Sequence, residues 1–414
     1  MSRILLTWEL GLNLGHLARL LPLARQLKAE GHSVLVATRD IQAASTVLGP
    51  AGIAFIAAPH LSKGIPLVHR PAGYADILLS QGWSDGSTLH GLTHAWLNLF
   101  RLYNPDRLIL DYSPTASLAA YIAKRPTLLV GNGFEIPPAT DPLPPFPGFS
   151  WATVSQAAKS EALAVAHSNT VLGCFGTAPI TALCDLVAGQ TRLLATFPEL
   201  DHYGPRTPDH YIGALLGGQN LPRFDWPAGE GPKIFACLRP DTSQVEVILS
   251  ALSGMSARIV CVVAGFTRAQ LEPFQREHIR FTSRPVDLQP LLDADLCITY
   301  GAEGTLMRFL LAGVPQLISP WHVETYMAAR RIEANGLGAV LSPNLTEHLT
   351  AVTIQRLALD PEARNRARNF AQHAGAFARS RGASAVVEAL SLGNANSRET
   401  HAGSPSRWVE EARV

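Results

Sequence analysis

The chain has 414 residues, a formal net charge of +1, 47% hydrophobic and 16% charged residues. That length suits two or three domains with large apolar cores, and the near-neutral balance excludes nucleic acid as the expected partner. No run of about eighteen apolar residues marks a membrane span, and the apolar start Ile4-Leu5-Leu6 turns polar after Trp8, too short for a signal peptide. The five cysteines are scattered, with no metal-like Cys-x-x-Cys pair. Cys237, Cys261 and Cys297 fall in apolar runs, where a reduced thiol acts as a small hydrophobe, so a cytoplasmic protein is expected.

Residues 3–8 read as a strand, and 9–15 as a polar turn with glycines. His16 opens a helix whose Leu17, Leu20, Leu21, Ala24 and Leu27 recur at helical spacing. Gly31-His32 ends it, and 33–38 is the next strand, making a βαβ unit. Helix is expected over 41–48, strand over 54–58 and loop over 59–73. Helices over 77–103 carry Trp83, His90 and His94, assigned to core or to a cleft wall. Residues 107–110 form a strand ended by Asp111, followed by helix 116–123 and strand 127–130. Residues 132–151 are rich in proline and glycine and read as a loop over a cleft. Helix 154–166 and strand 192–196 close the first half, so residues 1–215 are one domain.

Residues 216–231, again rich in glycine and proline, read as a linker. The second domain covers 232–392. Its expected strands are 233–238, 258–264, 279–282 and 340–341, and its helices 243–252, 361–374 and 383–392, the last packing back on the first domain. Arg239-Pro240-Asp241 forms a loop after the first of these strands. Residues 393–414 are polar and expected to be disordered. The class is α/β, with two doubly wound parallel sheets.

The most informative stretch is 296–332, LCITYGAEGTLMRFLLAGVPQLISPWHVETYMAARRI. Residues 296–299 form a short buried strand, 300–305 a turn, 306–311 a helix ended near Gly313, and 314–319 the next strand. The turn offers the free N–H groups of Gly304, Thr305 and Leu306 at a helix N-terminus, a site suited to phosphate. Thr305 could cap the helix or donate its hydroxyl to the same anion.

This stretch resembles the donor-binding signature of GT-B glycosyltransferases, in their antibiotic, flavonoid and glycolipid branches. Gly301, Gly304-Thr305, Ala312-Gly313-Val314-Pro315-Gln316, Pro320 and Glu324-Thr325 match at the family's spacing without gaps. Gly15-His16 and Gly31-His32 match the family's opening pattern. The resemblance implies two Rossmann-like domains facing across a cleft, with the acceptor in the first and a nucleotide sugar in the second. It implies inverting transfer from a UDP- or dTDP-sugar to a hydroxyl of a small-molecule or lipid acceptor. A lipid acceptor leaves peripheral membrane contact open. His16 would be the general base and Asp111 would orient it. Gly301, Gly304 and Thr305 would face the diphosphate, and Glu324 and Thr325 the sugar.

Three departures bear on the donor. Tyr300 stands where the family has a diphosphate-binding His, and a phenol carries no positive charge. Thr325 replaces a sugar-binding Gln and loses its amide donor. Arg308 stands where a ribose-binding Glu is usual, which points to a deoxyribose nucleotide or to a phosphate contact from Arg308 itself. Arg239 could supply a further cation. Glu303, inside the phosphate turn, should turn away from the anion or meet the sugar or acceptor. The nucleotide sugar is a co-substrate, and without an Asp-x-Asp motif neither a metal nor another cofactor is expected. The alternative reading is a catalytically silent GT-B protein that binds a nucleotide sugar or a partner. Acceptor identity and oligomeric state are not legible.

Overall fold

The computed structural model describes residues 1–11, 14–206, 211–217, 221–242, 244–380 and 382–397. In the first domain β1 (Arg3–Trp8), α1 (Gly15–Ala29), β2 (Ser33–Thr38), α2 (Ile41–Val47) and β3 (Ala54–Ala57) alternate. They are followed by α3 (Tyr74–Leu78), α4 (Gly86–Tyr103), β4 (Arg107–Asp111), α5 (Pro114–Ile122), β5 (Thr127–Gly131), α6 (Val154–Cys174) and β6 (Thr191–Leu194). The six strands are parallel, in the order β3-β2-β1-β4-β5-β6. Parallel strands need a crossover between neighbours, and helices on both faces bury them, which is why β1 and β4 are apolar nearly throughout.

The second domain repeats the plan with β7 (Lys233–Cys237), α7 (Val245–Ser253), β8 (Arg258–Val262), α8 (Arg268–Leu271), β9 (Ile279–Thr282) and β10 (Leu296–Thr299). Then come α9 (Glu303–Leu311), β11 (Gln316–Ile318), α10 (Val323–Ala334), β12 (Gly338–Val340), α11 (Glu347–Ala358), α12 (Pro361–Ser380) and α13 (Gly382–Ser397). The sheet order is β12-β11-β10-β7-β8-β9. The order in which successive strands are added reverses between β1 and β4 in one sheet and between β10 and β7 in the other, while all strands stay parallel. Such switch points open crevices at the carboxyl ends of the strands. Asp111 ends β4, His16 is in the first turn of the helix after β1, and Arg239 and Tyr300 follow β7 and β10, so the topology alone sends these residues toward the crevices.

The expected elements are present, with shifted ends. The α6 helix runs on to Cys174 because Ala164, Ser168, Val171 and Leu172 keep a buried stripe going. The last strand starts two residues early, at Gly338, where a Cβ would stand only 1.9 Å from the Gln316 carbonyl oxygen. The tail expected to be disordered from 393 is helical to Ser397. Extending a helix already nucleated on α13 costs less than starting one. Residues 398–414, residues 218–220 of the linker and Ser243 at the expected helix start lie outside the described residues.

The two domains share apolar packing. Val386 and Leu390 of α13 sit in the core beneath β1 with Leu20 and Leu23 of α1, and Gly382 N–H donates to the Ile212 carbonyl. Phe370 and Phe377 of α12 meet Phe197 of the first domain edge-on. Among the described residues no helix is long and apolar enough to cross a membrane.

Candidate active site

Trp8 ends β1 with its side chain buried, and the chain turns through Glu9, Leu10 and Gly11 before α1 begins. Glu9 is fully buried and accepts from the N–H groups of Thr115 and Ala116, which caps α5. Burial pushes its carboxyl up to about 7. Gly11 has φ +83°, and a Cβ there would stand 2.4 Å from His16 Nε2. Only glycine at this turn leaves that ring nitrogen uncovered.

His16 lies in the first turn of α1, 8% exposed, with its ring stacked on Trp8 at 5.1 Å and on Tyr112 at 6.1 Å. Its Nδ1 lies 3.0 Å from Asp111 Oδ1 at the end of β4. A proton on Nδ1 donated to that carboxylate leaves Nε2 as the acceptor, the tautomer a general base needs. Burial alone would lower the His16 pKa, but the charges of Asp111 and Glu135 outweigh it and raise it above the usual imidazole value.

Around this pair stand residues that the sequence reading passed over. Arg19, one turn along α1, is 4% exposed and reaches three carboxylates: Asp111 Oδ1 at 2.8 Å, Glu135 Oε2 at 2.5 Å and Glu303 Oε2 at 2.7 Å. Asn132, directly after β5, accepts from the N–H groups of Phe134 and Glu135. Its Nδ2 donates to Glu303 Oε2 at 3.2 Å and toward Glu324 Oε1 at 3.4 Å, both in the second domain. Two signals were available. Arg19 is a charge on the apolar face of a helix, and Asn132 follows a strand just as Asp111 ends one. His16, Asp111 and Glu135 each offer a ligand atom within 4.8 Å of the others, but the Arg19 guanidinium already bridges both carboxylates.

From the second domain, Glu303 is the first residue of α9, so the N–H groups of Glu303, Gly304 and Thr305 precede the first intrahelical bond. The Leu306 N–H, expected to be free, instead donates to the Ala302 carbonyl. Glu303 turns from the α9 start toward the first domain, and burial raises its pKa despite Arg19. Gly301 has φ +96°, and a Cβ there would come within 2.8 Å of Thr325 Cβ. Glu324, at the start of α10, has its carboxyl pushed up to about 7 by burial and by the charges of Glu135 and Glu303.

The other candidates are engaged differently. Thr325 is buried, and its hydroxyl is spent locally: it accepts from the N–H groups of Trp321 and His322 and donates to the His322 carbonyl. Arg308 donates to the carbonyl of Gly217 at the linker. Arg239 is paired with Asp241 at 3.0 Å and lies over the rings of Trp321 at 4.5 Å and Tyr300 at 5.5 Å. Burial pushes the Tyr300 phenol up to about 12, so it stays neutral. Arg239 therefore puts a cation beside the position where the signature His is missing.

Two hollows adjoin the centre. One of about 380 Å³ lies between the domains, lined by Asn132 and His202 on one side and Gly301, Glu303, Met307 and Glu324 on the other. A larger one of about 680 Å³ lies in the first domain, walled by Tyr74, Trp83, Tyr112, Leu129, Ile136 and Leu183, with Glu135 at its edge. Trp83 is fully buried in the first domain's core and backs the larger hollow, whereas His90 and His94 of α4 stack with Phe175 and line neither hollow.

Two doubly wound parallel domains meeting at the carboxyl ends of their strands make this chain one of GT-B glycosyltransferase architecture. The crystal structure of the kitacinnamycin glycosyltransferase superposes with a TM-score of 0.72 at 18% identity, covering 94% of this chain and 98% of that one. Glycosyltransferase VinC, solved in complex with dTDP, gives 0.66 at 18% identity over 95% and 100%. CalG4, the calicheamicin glycosyltransferase, gives 0.68 at 18% over 94% and 98%. By sequence, zeaxanthin glucosyltransferase of Pseudescherichia vulneris is 26% identical over 276 residues, 61% of this chain and 66% of that enzyme, just under two thirds of its length. No protein-family model matches the chain.

Proposed function

We propose that the protein is a glycosyltransferase that moves a sugar, with inversion, from a nucleoside-diphosphate donor to a hydroxyl of a small-molecule or lipid acceptor. The observation that carries this reading is the buried His16–Asp111 pair, facing the phosphate-type turn of the other domain through the Arg19–Glu303 contact. His16 Nε2 would take the acceptor hydroxyl's proton as its oxygen attacks the anomeric carbon, an effect typically worth about a hundred- to ten-thousandfold in rate. The charge developing on the departing diphosphate would fall on the N–H groups of Gly304 and Thr305, the positive end of α9, and Arg239. Glu324 would hold sugar hydroxyls in the interdomain hollow. The larger hollow of the first domain, walled mainly by apolar side chains, favours an apolar acceptor, as the similarity to a zeaxanthin glucosyltransferase also does. In this reading the nucleotide sugar is the sole co-substrate.

The silent alternative draws on Tyr300 and on the locally spent Thr325 hydroxyl, since both remove a donor contact. Incubation with a panel of nucleotide sugars separates the two. A transferase releases nucleoside diphosphate slowly even without acceptor, and His16→Ala reduces that release. Binding without turnover, unchanged in His16→Ala, would support the silent protein. Calorimetry with UDP- and dTDP-sugars tests the donor. With Arg308 on the linker carbonyl rather than a carboxylate on the ribose, dTDP is expected to bind at least as well as UDP.

A further inference from the structure

Arg19 is one turn from the base of the proposed reaction and belongs to no motif. It is the cation within hydrogen-bond reach of Asp111, Glu135 and Glu303, which come from β4, the loop after β5 and the start of α9. Asp111 Oδ1 serves both His16 and Arg19, while its Oδ2 is buried without a hydrogen-bond partner among the described residues. The orientation of the carboxylate against His16 is therefore fixed through one oxygen that a guanidinium also holds. A planar guanidinium can address several carboxylates at fixed angles, which an ammonium cannot. Its Nη2 arm crosses the cleft, and Glu303 at its far end is the first residue of the helix whose start would meet the diphosphate.

We infer that Arg19 is a positioning residue that holds the Asp111–His16 pair in register and ties it to the donor turn of the other domain through Glu303. The inference rests on the proposed transferase reading for its kinetic consequence, but not for its electrostatic one. Two opposed effects follow from the geometry. The Arg19 charge opposes protonation of His16, whereas Asp111, Glu135 and, from the second domain, Glu303 and Glu324 favour it. Tyr112, the other titratable group against the ring, is neutral because burial holds its phenol far above the usual value. Removing the guanidinium should thus raise the His16 pKa. Removing only the Glu303 carboxylate at the far end of the cleft-crossing arm should move that pKa the other way, downward, and loosen the donor side.

The test uses the full chain and the variants Arg19→Gln, Arg19→Lys and Glu303→Gln, with carbon-13-labelled histidine followed by NMR across pH and with donor hydrolysis measured in parallel. Arg19→Gln should move the His16 titration, and the acid limb of kcat/KM with it, upward by about one pH unit. Arg19→Lys, which keeps the charge, should hold the titration near the wild-type position while kcat falls. Glu303→Gln should raise the donor KM several-fold more than it lowers kcat. If Arg19→Gln folds and His16 titrates as in wild type, the inference is overturned. If Arg19→Gln does not fold, an Arg19→Lys variant with unchanged kcat, or a Glu303→Gln variant with unchanged donor KM, overturns it equally. Should the wild type turn over no nucleotide sugar, the transferase reading fails, and the histidine titration still decides the electrostatic link.

Discussion

His16 Nδ1 lies 3.0 Å from Asp111 Oδ1 although 95 residues separate them in the chain. Asp111 ends β4, and β1, whose following helix carries His16 in its first turn, is its hydrogen-bonded neighbour with Trp8 opposite Asp111, so the two residues meet. Because Asp111 raises the His16 pKa, Asp111→Asn should lower it. Activity that depends on neutral His16 is lost as pH falls through that pKa, so the acid limb of the rate profile should move to lower pH. At the optimum the rate should drop about a hundredfold or more, since the amide no longer stabilises the imidazolium. A pH–rate profile of the variant, read beside its melting curve, checks both.

Gly11→Ala should cost activity far more than stability. The left-handed φ alone is worth about 1–2 kcal/mol to an L-residue, but the new methyl would fall 2.4 Å from Nε2 of His16. The ring must tilt away or lose its proton acceptor. We expect kcat to fall at least about tenfold with nucleotide binding unchanged, measured by steady-state kinetics and calorimetry on one preparation.

Glu324→Gln tests the proposed sugar contact apart from the proposed phosphate contact. Glu324, at the start of α10, faces Asn132 across the interdomain hollow, while Arg239 follows β7 and lies over Trp321, and in the proposed reading it and the α9 start meet the diphosphate. The variant should weaken nucleotide-sugar binding about tenfold through a changed hydrogen bond to the sugar. The free nucleoside diphosphate should bind as before. Calorimetry with both ligands tests this, and equal losses would move Glu324 out of the sugar site.

Glu9 makes a prediction about stability. Its carboxyl ionises near pH 7 in the folded chain against 4.5 ordinarily, because burial disfavours the charge. Between those values the native state holds a proton that the unfolded chain has released, so stability falls as pH rises through the window and levels above about 7. The full effect is at most roughly 3 kcal/mol. Glu9→Gln keeps an acceptor for the Thr115 and Ala116 N–H groups and cannot ionise. Denaturant unfolding at pH 5 and pH 7.5 should show a smaller loss of stability in the variant than in wild type.

Much of the fold was legible because its signals are local. Apolar runs of strand length, helices with a 3.6-residue repeat and glycines at turns recur in the same order twice, and that order is what a doubly wound sheet requires. The 300–305 turn and His16 stood out for the same reason, since the turn directly follows β10 and His16 lies in the first turn of the helix that comes after β1. Residue 306 was misjudged because α9 starts at Glu303, three residues before the expected 306, which changes which N–H groups are free: with Ala302 as cap, the Leu306 N–H is already bonded.

Sequence by itself therefore determined two βα domains, and it singled out His16, Asp111 and Gly304 near strand ends as candidates. Tertiary structure alone decided that Arg19 would bridge Asp111, Glu135 and Glu303, that Asn132 would face Glu324, and that Thr325 would spend its hydroxyl on its own backbone. Strand and helix periodicities are set by neighbours a few residues apart in the chain. The partners of a buried charge are set by which elements the sheet order brings together, and here they lie up to 284 residues away.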